Sequence, residues 1–238
     1  ARADKINRTD STSTINLEET GLSGCDDESG CTFFGIPVNS DTVQLIVDGS
    51  GSMSSCIAWG STYGETRRTY YDGSRYFRTR QACLMTRMES LQSELRALLA
   101  SLSPTTVLSL QSFSSPGYQN HRQWKEGEMV QLTDSNRESA LDFVNSLSNG
   151  KVTSWGGTRP WFALDKAFSN ADANTVFFMT DGDPNYDRNG GSWSSYDYQP
   201  TANAYMAMNE ERDPSLSVNT VSVGQGSPWL ELLSNGAS

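Results

Sequence analysis

Apolar runs of strand length alternate with helical segments along most of this 238-residue chain, and this alternation restricts the fold more than any other feature of the sequence. Mostly apolar runs lie at residues 42–48, 106–113, 174–181 and 215–224, with a weaker one at 128–133. Strands that are apolar along nearly their whole length are typical of a sheet covered on both faces. Strands alternating with helices form βαβ units, so the sequence predicts a doubly wound α/β fold with a mainly parallel sheet between helices.

Segments with helical periodicity separate these runs. Residues 80–102 repeat apolar side chains at helical spacing, and Pro104 is expected to end that helix. Asp134 or Ser135 is expected to cap the next helix, since Ser135 and Glu138 have the spacing of a capping box. Further helices are predicted within residues 154–168, 201–211 and 227–236.

Two kinds of irregular stretch accompany this pattern. Residues 1–41 are polar and contain one strand-like piece, residues 14–20, so we expect a peripheral arm that could contribute one edge strand. The α/β domain is expected to span residues 42–238. Within it, residues 54–78 form a predicted loop insertion and residues 183–200 a second long loop, and long ordered loops are usually functional.

The four cysteines allow three disulfide pairings. We predict Cys25–Cys31, closing a loop in the arm, and Cys56–Cys83, because each pair brackets one irregular segment. Two disulfides would place the protein outside the cytosol, and buried free cysteines in a cytosolic protein are the alternative. The lack of a CxxC pair and the single histidine argue against a zinc site of the Cys/His kind.

The net charge of −10 restricts the class of partner. Nucleic acid and anionic membranes would be repelled by the average surface, whereas a cation would be attracted. No apolar run approaches the roughly 18 to 20 residues that a membrane-spanning helix requires. The sequence therefore predicts neither nucleic-acid binding nor direct membrane insertion.

Oxygen-bearing side chains stand where the strands are predicted to end. Asp48 ends the first apolar run and is followed by Ser50 and Ser52. Thr158 lies in a glycine-rich loop before a helix, and Asp181 ends the run at 174–181. Ligand sites of open α/β sheets lie beyond the carboxyl ends of the strands, so these side chains are expected to meet. Two carboxylates and three hydroxyls without sulfur or imidazole select Mg²⁺, Ca²⁺ or Mn²⁺.

Three elements in this order, "DGSGSM", "GGT" and "TDG", resemble the von Willebrand factor A-type (integrin I-like) domain and its metal-ion-dependent adhesion site. The resemblance covers residues 42 to about 236 and extends to adhesin modules of bacterial surfaces and pilus tips. It implies that Ser50 and Ser52 bind the metal directly and that Mg²⁺ is the preferred ion. Thr158 would bind it directly in the ligand-engaged form and withdraw in the resting form, and Asp48 and Asp181 would act largely through water. A position is then left for a partner's carboxylate.

The expected function is therefore a secreted or surface-displayed, metal-dependent adhesion module, forming part of a larger surface protein, and not an enzyme. The sequence has no Asp-x-Asp phosphatase motif, no GxxxxGK[ST] loop, and only His121 for a catalytic triad. A carbohydrate-binding adhesin that uses aromatic loops beside the metal is one alternative. An intracellular scaffold with the same domain is another, and its cysteines would be reduced.

Side chains on the loops around the site are candidate ligand contacts, because Tyr, Trp and Arg concentrate binding energy in interfaces. The candidates are Trp59, Arg67, Arg68, Tyr70, Tyr71, Trp155, Trp193 and Tyr196. The aromatic residues could equally pack the loops against each other.

A second, weaker cation pattern lies in the loop at 183–200. The segment "NYDRNG" matches the first half of a calcium-binding loop, although Tyr196 stands where the bidentate glutamate belongs. An ordinary turn would explain the same residues. The candidate ligands are Asp183, Asn185, Asp187 and Asn189.

Overall fold

The computed structural model describes residues 5–8, 14–16, 31–69, 75–148, 154–224 and 226–237, with the backbone alone at 5–8, 14–16, 61–69, 75–81 and 236–237. The strands are β1 (Lys5–Arg8), β2 (Thr14–Asn16), β3 (Thr32–Phe33), β4 (Ile36–Pro37), β5 (Thr42–Asp48), β6 (Cys56–Thr69), β7 (Arg75–Thr86), β8 (Val107–Phe113), β9 (Arg122–Gln123), β10 (Val130–Gln131), β11 (Thr175–Thr180) and β12 (Ser217–Val223). The helices are α1 (Arg87–Ser101), α2 (Asp134–Ser146), α3 (Trp161–Ser169), α4 (Tyr198–Glu210) and α5 (Pro228–Ala237).

The central sheet has the strand order β10-β8-β5-β11-β12-β1-β2, and β9 pairs with β8 beside this path. The four inner strands β8, β5, β11 and β12 are parallel, and the short strands at both sides are antiparallel. From β5 the chain first moves outward to β8 and then returns past β5 to β11 and β12. The predicted α/β class with a mainly parallel sheet is confirmed, and the strand order changes direction at β5.

The core lies on both faces of this sheet because successive side chains of a strand point to opposite faces. Val43, Leu45 and Val47 of β5 belong to the cluster that includes buried residues of α1 and α2. Ile46, between them, belongs to the cluster formed with α3, α4 and α5. Helices therefore cover both faces, which explains why the central strands are apolar almost throughout.

The structure corrects the expected loop at 54–78 and the expected helix start near residue 80. Both segments form an antiparallel hairpin of β6 and β7, and α1 begins only at Arg87. Thr86 stops the strand and caps the helix, because its side chain accepts from the Glu89 backbone N while the Glu89 carboxylate accepts from the Thr86 backbone N. Leu84, which fits the helical spacing in the sequence, is 64% exposed in β7.

The expected cap of α2 is also wrong by one or two residues. The helix begins at Asp134, but its N-cap is Thr133, whose side chain accepts a hydrogen bond from the Asn136 backbone N at 3.4 Å. The chain turns directly after β10, where the Thr133 backbone N donates to the Gln131 carbonyl. This turn places Thr133 at the N-cap position of α2.

The N-terminal arm contributes more than one edge strand. Both β1 and β2 join the sheet, β1 pairing with β12, and β2 covers three residues of the predicted piece at 14–20. Phe33 and Phe34 are fully buried in the core. This end of the arm therefore packs into the domain instead of lying at its periphery.

The disulfide Cys56–Cys83 is present, as predicted, and joins the two strands of the hairpin near its base. Cys25 lies outside the described residues, so the pairing Cys25–Cys31 stays a prediction. A disulfide is compatible with an extracellular protein. Within the described part of the chain, every helix falls short of the length and apolarity needed to cross a membrane.

Candidate functional site

The first part of the candidate site is the turn that follows β5. Asp48 ends the strand with its side chain fully buried, and its Oδ1 accepts a hydrogen bond from the Ser50 backbone N at 2.7 Å. Position 49 requires glycine, because a Cβ there would lie only 2.5 Å from the Asn120 Cβ. A short 3₁₀ turn, Gly51–Ser54, then directs the chain into the hairpin.

The second part is the glycine-rich loop before α3. The Gly156 carbonyl accepts from the Gly51 backbone N at 2.9 Å, which ties this loop to the turn after β5. Asn185 binds Thr158 twice, since its Oδ1 accepts from the Thr158 N at 2.7 Å and its own N donates to the Thr158 carbonyl at 2.9 Å. Thr158 is thereby fixed at the mouth of the site.

The third part is the end of β11. The Thr180 hydroxyl donates to Asp48 Oδ2 at 2.7 Å, and the Asp181 backbone N lies 3.3 Å from the same oxygen. The Ser52 hydroxyl donates to Asp181 Oδ1 at 2.8 Å, and the Ser50 and Ser52 hydroxyl oxygens are 3.1 Å apart. The side chains that the sequence places at the ends of two different strands thus form one connected cluster.

This cluster borders an open cavity of about 350 Å³, which we call the site cavity. It is lined by Ser50, Gly51, Ser52, Gly156, Gly157, Thr158, Asp181, Gly182, Asp183 and Asn185. Four of the five predicted metal ligands therefore face one space, and the fifth, Asp48, lies directly beneath it.

Two buried carboxylates, those of Asp48 and Asp181, lie close together, so a positive charge nearby would stabilise their ionised forms. Burial, followed by the neighbouring charge of Asp181, raises the pKa of Asp48 to about 7, although hydrogen bonds from Ser50 and Thr180 oppose the shift. A cation nearby would favour the ionised carboxylate. Arg87 supplies one such charge, because its Nη1 lies 3.1 Å from Asp181 Oδ2.

The donor set fits a hard divalent cation. Carboxylate and hydroxyl oxygens are the ligands that Mg²⁺ and Ca²⁺ accept. Among the residues that the structure describes, no three carboxylate, imidazole or thiol groups come together at one point.

Three of the four candidates for a second cation, Asp183, Asn185 and Asp187, have side chains that accept hydrogen bonds from the protein. Asp183 accepts from the Tyr198 hydroxyl at 2.7 Å, and the Asn185 side chain accepts from Thr158. Asp187 Oδ1 accepts from the backbone N of Asn189 at 2.7 Å and of Gly191 at 2.8 Å, which closes a turn. An ordinary turn accounts for these contacts, and a second cation in this loop stays a prediction.

The candidate ligand contacts differ in exposure. Tyr196 is 89% exposed and Trp59 is also exposed, so both are accessible to a partner. Trp155 is only 5% exposed within the core, which argues against the contact role expected for it. Trp193 is half-buried and packs against Trp161. Only the backbone of Arg67 and Arg68 is described, and Tyr70 and Tyr71 lie outside the described residues.

Three residues that shape the site were not predicted from the sequence in the roles they have here. Arg87 gives no signal in the sequence, because its contact with Asp181 depends on how the hairpin leads into α1. Asn120 supports the first turn, with its Nδ2 donating to the Gly49 carbonyl at 3.0 Å. Asn185 was considered only as a cation ligand, whereas its observed contacts hold Thr158.

Comparison of the chain with protein-family models, curated proteins and solved structures found no match. The proposed function therefore depends on the fold and on the geometry of the site.

Proposed function

We propose that this chain is a metal-dependent adhesion module of the von Willebrand factor A type, with Mg²⁺ as the preferred ion and Ca²⁺ or Mn²⁺ as substitutes. Its partner would be an extracellular protein or glycan that offers a carboxylate. The α/β fold, in which the strand order reverses at β5, supports this proposal. The site lies beside that strand, where open α/β sheets bind ligands.

One observation carries the proposal. Side chains from three separate segments, the turn after β5, the loop before α3 and the end of β11, line one cavity with carboxylate and hydroxyl oxygens. Hydrogen bonds of 2.8 to 3.1 Å already connect Ser50, Ser52 and Asp181. Convergence of this kind is unexpected for polar turn residues that only end strands.

Each residue would contribute in a different way. Ser50, Ser52 and Thr158 would hold the ion through hydroxyl oxygens, while Asp48 and Asp181 would supply the compensating negative charge. A bound divalent cation would offer a coordination position to the carboxylate of a partner. The buried hydrogen bonds of Asp48 keep the two turns in register, so that the hydroxyls are positioned before the ion arrives.

The site supports binding better than catalysis. The described partners of the Ser50 and Ser52 hydroxyls are each other and Asp181, an arrangement without the imidazole that activates a serine nucleophile. We therefore propose a non-enzymatic role. The disulfide Cys56–Cys83 supports an extracellular location, on a cell or pilus surface, over an intracellular scaffold.

Glycan recognition by an aromatic surface, instead of by the metal, is a second candidate, favoured by an exposed aromatic side chain near the site. Tyr118 is exposed and packs against the glycine-rich loop, since a Cβ on Gly156 would lie 2.6 Å from the Tyr118 ring. A glycan screen of wild type and Tyr118→Ala with and without chelator separates the candidates. Binding that survives chelation but is lost in the variant would favour recognition by the aromatic surface.

The direct test is calorimetric titration of Mg²⁺, Mn²⁺ and Ca²⁺ into chelator-treated protein. We expect saturable binding to one site, and we expect the double variant Ser50→Ala/Ser52→Ala to lose it. Ser54→Ala is the matched control, because this hydroxyl lies two residues away and donates only to the Gly51 carbonyl at 2.8 Å.

Folding of each variant is checked by circular dichroism and thermal unfolding. Equal affinity of the double variant and wild type would contradict the proposed ligands. Failure of folded wild type to bind any of the three ions, with and without acetate as a carboxylate ligand, would remove the metal-dependent function.

A further inference from the structure

Arg87 reaches the site because of its position in the fold, where the hairpin leads into α1. It is the first residue of α1, directly after the hairpin, and its backbone N donates to the Ser55 carbonyl at 3.0 Å. Its side chain is 17% exposed, and that of Asp181 is 2% exposed, so their 3.1 Å ion pair is largely shielded from water.

The structure makes room for this guanidinium. Gly224, just after β12, has φ +107°, and a Cβ there would lie 2.8 Å from Arg87 Nη2. A cavity of about 260 Å³ adjoins the pair and is lined by Arg87, Asp181, Gly182, Asp183, Gly226 and Ser227. It shares Asp181, Gly182 and Asp183 with the site cavity, so Asp181 borders both spaces.

Both oxygens of Asp181 are engaged as a result. Oδ1 accepts from the Ser52 hydroxyl, and Oδ2 accepts from Arg87. A divalent cation at the site would have to share Asp181 with a permanent positive charge. Like charges repel, and buried charges are screened less by salt than exposed ones.

We propose that Arg87 is a tethered cation that competes with the divalent ion for Asp181 and thereby lowers the metal affinity of the site. This inference rests on the proposed function. With both carboxylates ionised and the guanidinium charged, the cluster would carry one negative charge, so a bound divalent ion would make it positive overall. Arg87 thus weakens the hold on the metal while making the loaded site more attractive to an anionic partner.

The test is calorimetric titration of Mg²⁺, and of Mn²⁺ in parallel, into wild type, Arg87→Met and Arg87→Lys. Met removes the charge at similar length, and we expect it to tighten metal binding about tenfold, the effect of a modest change in local electrostatic energy. Lys keeps the charge, so its affinity should stay close to that of wild type. Arg87→Gln replaces Met if Met prevents folding.

Arg96→Met is the matched control, since Arg96 lies on the same helix, is exposed and donates to Asn145. Its affinity should equal that of wild type, which excludes an effect of overall charge. Unchanged or weaker metal binding in folded Arg87→Met would overturn the inference and leave the proposed function standing. Loss of metal binding in wild type and in every variant would instead contradict the proposed function.

Discussion

Arg87 and Arg212 lie at opposite edges of the same sheet, and the fold uses them differently. Arg87 pairs with the carboxylate of Asp181 at the edge where the parallel strands end. Arg212 lies at the edge where they begin and donates to the carbonyls of Phe168 at 3.0 Å, Asn170 at 2.6 Å and Ala173 at 2.5 Å.

The difference shows how one kind of side chain can be structural or functional. Arg212 joins three backbone carbonyls of the connection from α3 to β11, so its contacts hold that connection in place. A carboxylate can exchange a guanidinium for a metal ion, so under the proposal above Arg87 would take part in such an exchange. Polar groups at the carboxyl edge are therefore expected to affect binding, and those at the amino edge to affect stability.

The largest effect is expected from Asp181→Asn. Removing one of two buried carboxylates should lower Mg²⁺ affinity on the order of 100-fold or more, since even residues behind the ligands cost 10- to 100-fold. Titration calorimetry measures this effect. Asp172→Asn is the control, because it makes the same change at an exposed position before β11. Equal losses in both variants would break the distinction between the edges.

Arg212→Met should destabilise the protein by about 2 kcal/mol, because buried carbonyls lose their donors. Its Mg²⁺ affinity should remain that of wild type. Urea unfolding measures the first quantity and calorimetry the second, with exposed Arg96→Met as the control for loss of an arginine. A changed metal affinity in folded Arg212→Met would mean that the two edges are coupled.

Asn185→Ala should lower Mg²⁺ affinity about tenfold with little change in stability, because residues that orient metal ligands have effects of this size. It removes the 2.7 Å contact that fixes Thr158. Asn189→Ala is the matched control in the same exposed loop, and it also examines the weaker calcium pattern. If Asn189→Ala weakens Ca²⁺ binding and Asn185→Ala does not affect Mg²⁺, the roles assigned within this loop are reversed.

The smallest effect is expected from His121, the only histidine of the chain. Burial lowers its pKa, and the nearby charge of Arg159 lowers it further. The unfolded chain then binds a proton more readily, so wild type should lose stability as the pH falls below about 6.5, the ordinary histidine pKa.

His121→Gln should lose less stability than wild type between pH 7 and pH 5, and urea unfolding at a series of pH values would show this. Parallel curves for the two proteins would mean that His121 titrates alike when folded and unfolded.

Much of the fold is predictable from the sequence because the relevant signals are local. The apolar runs at 42–48 and 174–181 correspond to β5 and β11, whose burial on both faces requires such composition. The hairpin was not predictable. Its Gly-, Ser-, Tyr- and Arg-rich strands lack a buried face in the sequence pattern, so the segment does not have the alternation that is typical of a strand.

The candidate site divides in the same way. The sequence predicts that Asp48, Ser50, Ser52, Thr158 and Asp181 meet beyond the ends of the strands, and the structure brings them together. Metal binding by these residues stays a prediction. The sequence did not predict that Arg87 pairs with Asp181 or that Asn185 holds Thr158.

By itself, the sequence determined the class of fold and the oxygen donors of the site, because strand burial and ligand chemistry act on residue type and short spacing. Only the tertiary structure decided which charge stands behind Asp181 and what holds Thr158. Those contacts join residues 94 and 27 positions apart. No local pattern records them, because they arise from how α1 and the loop after β11 pack around the end of the sheet.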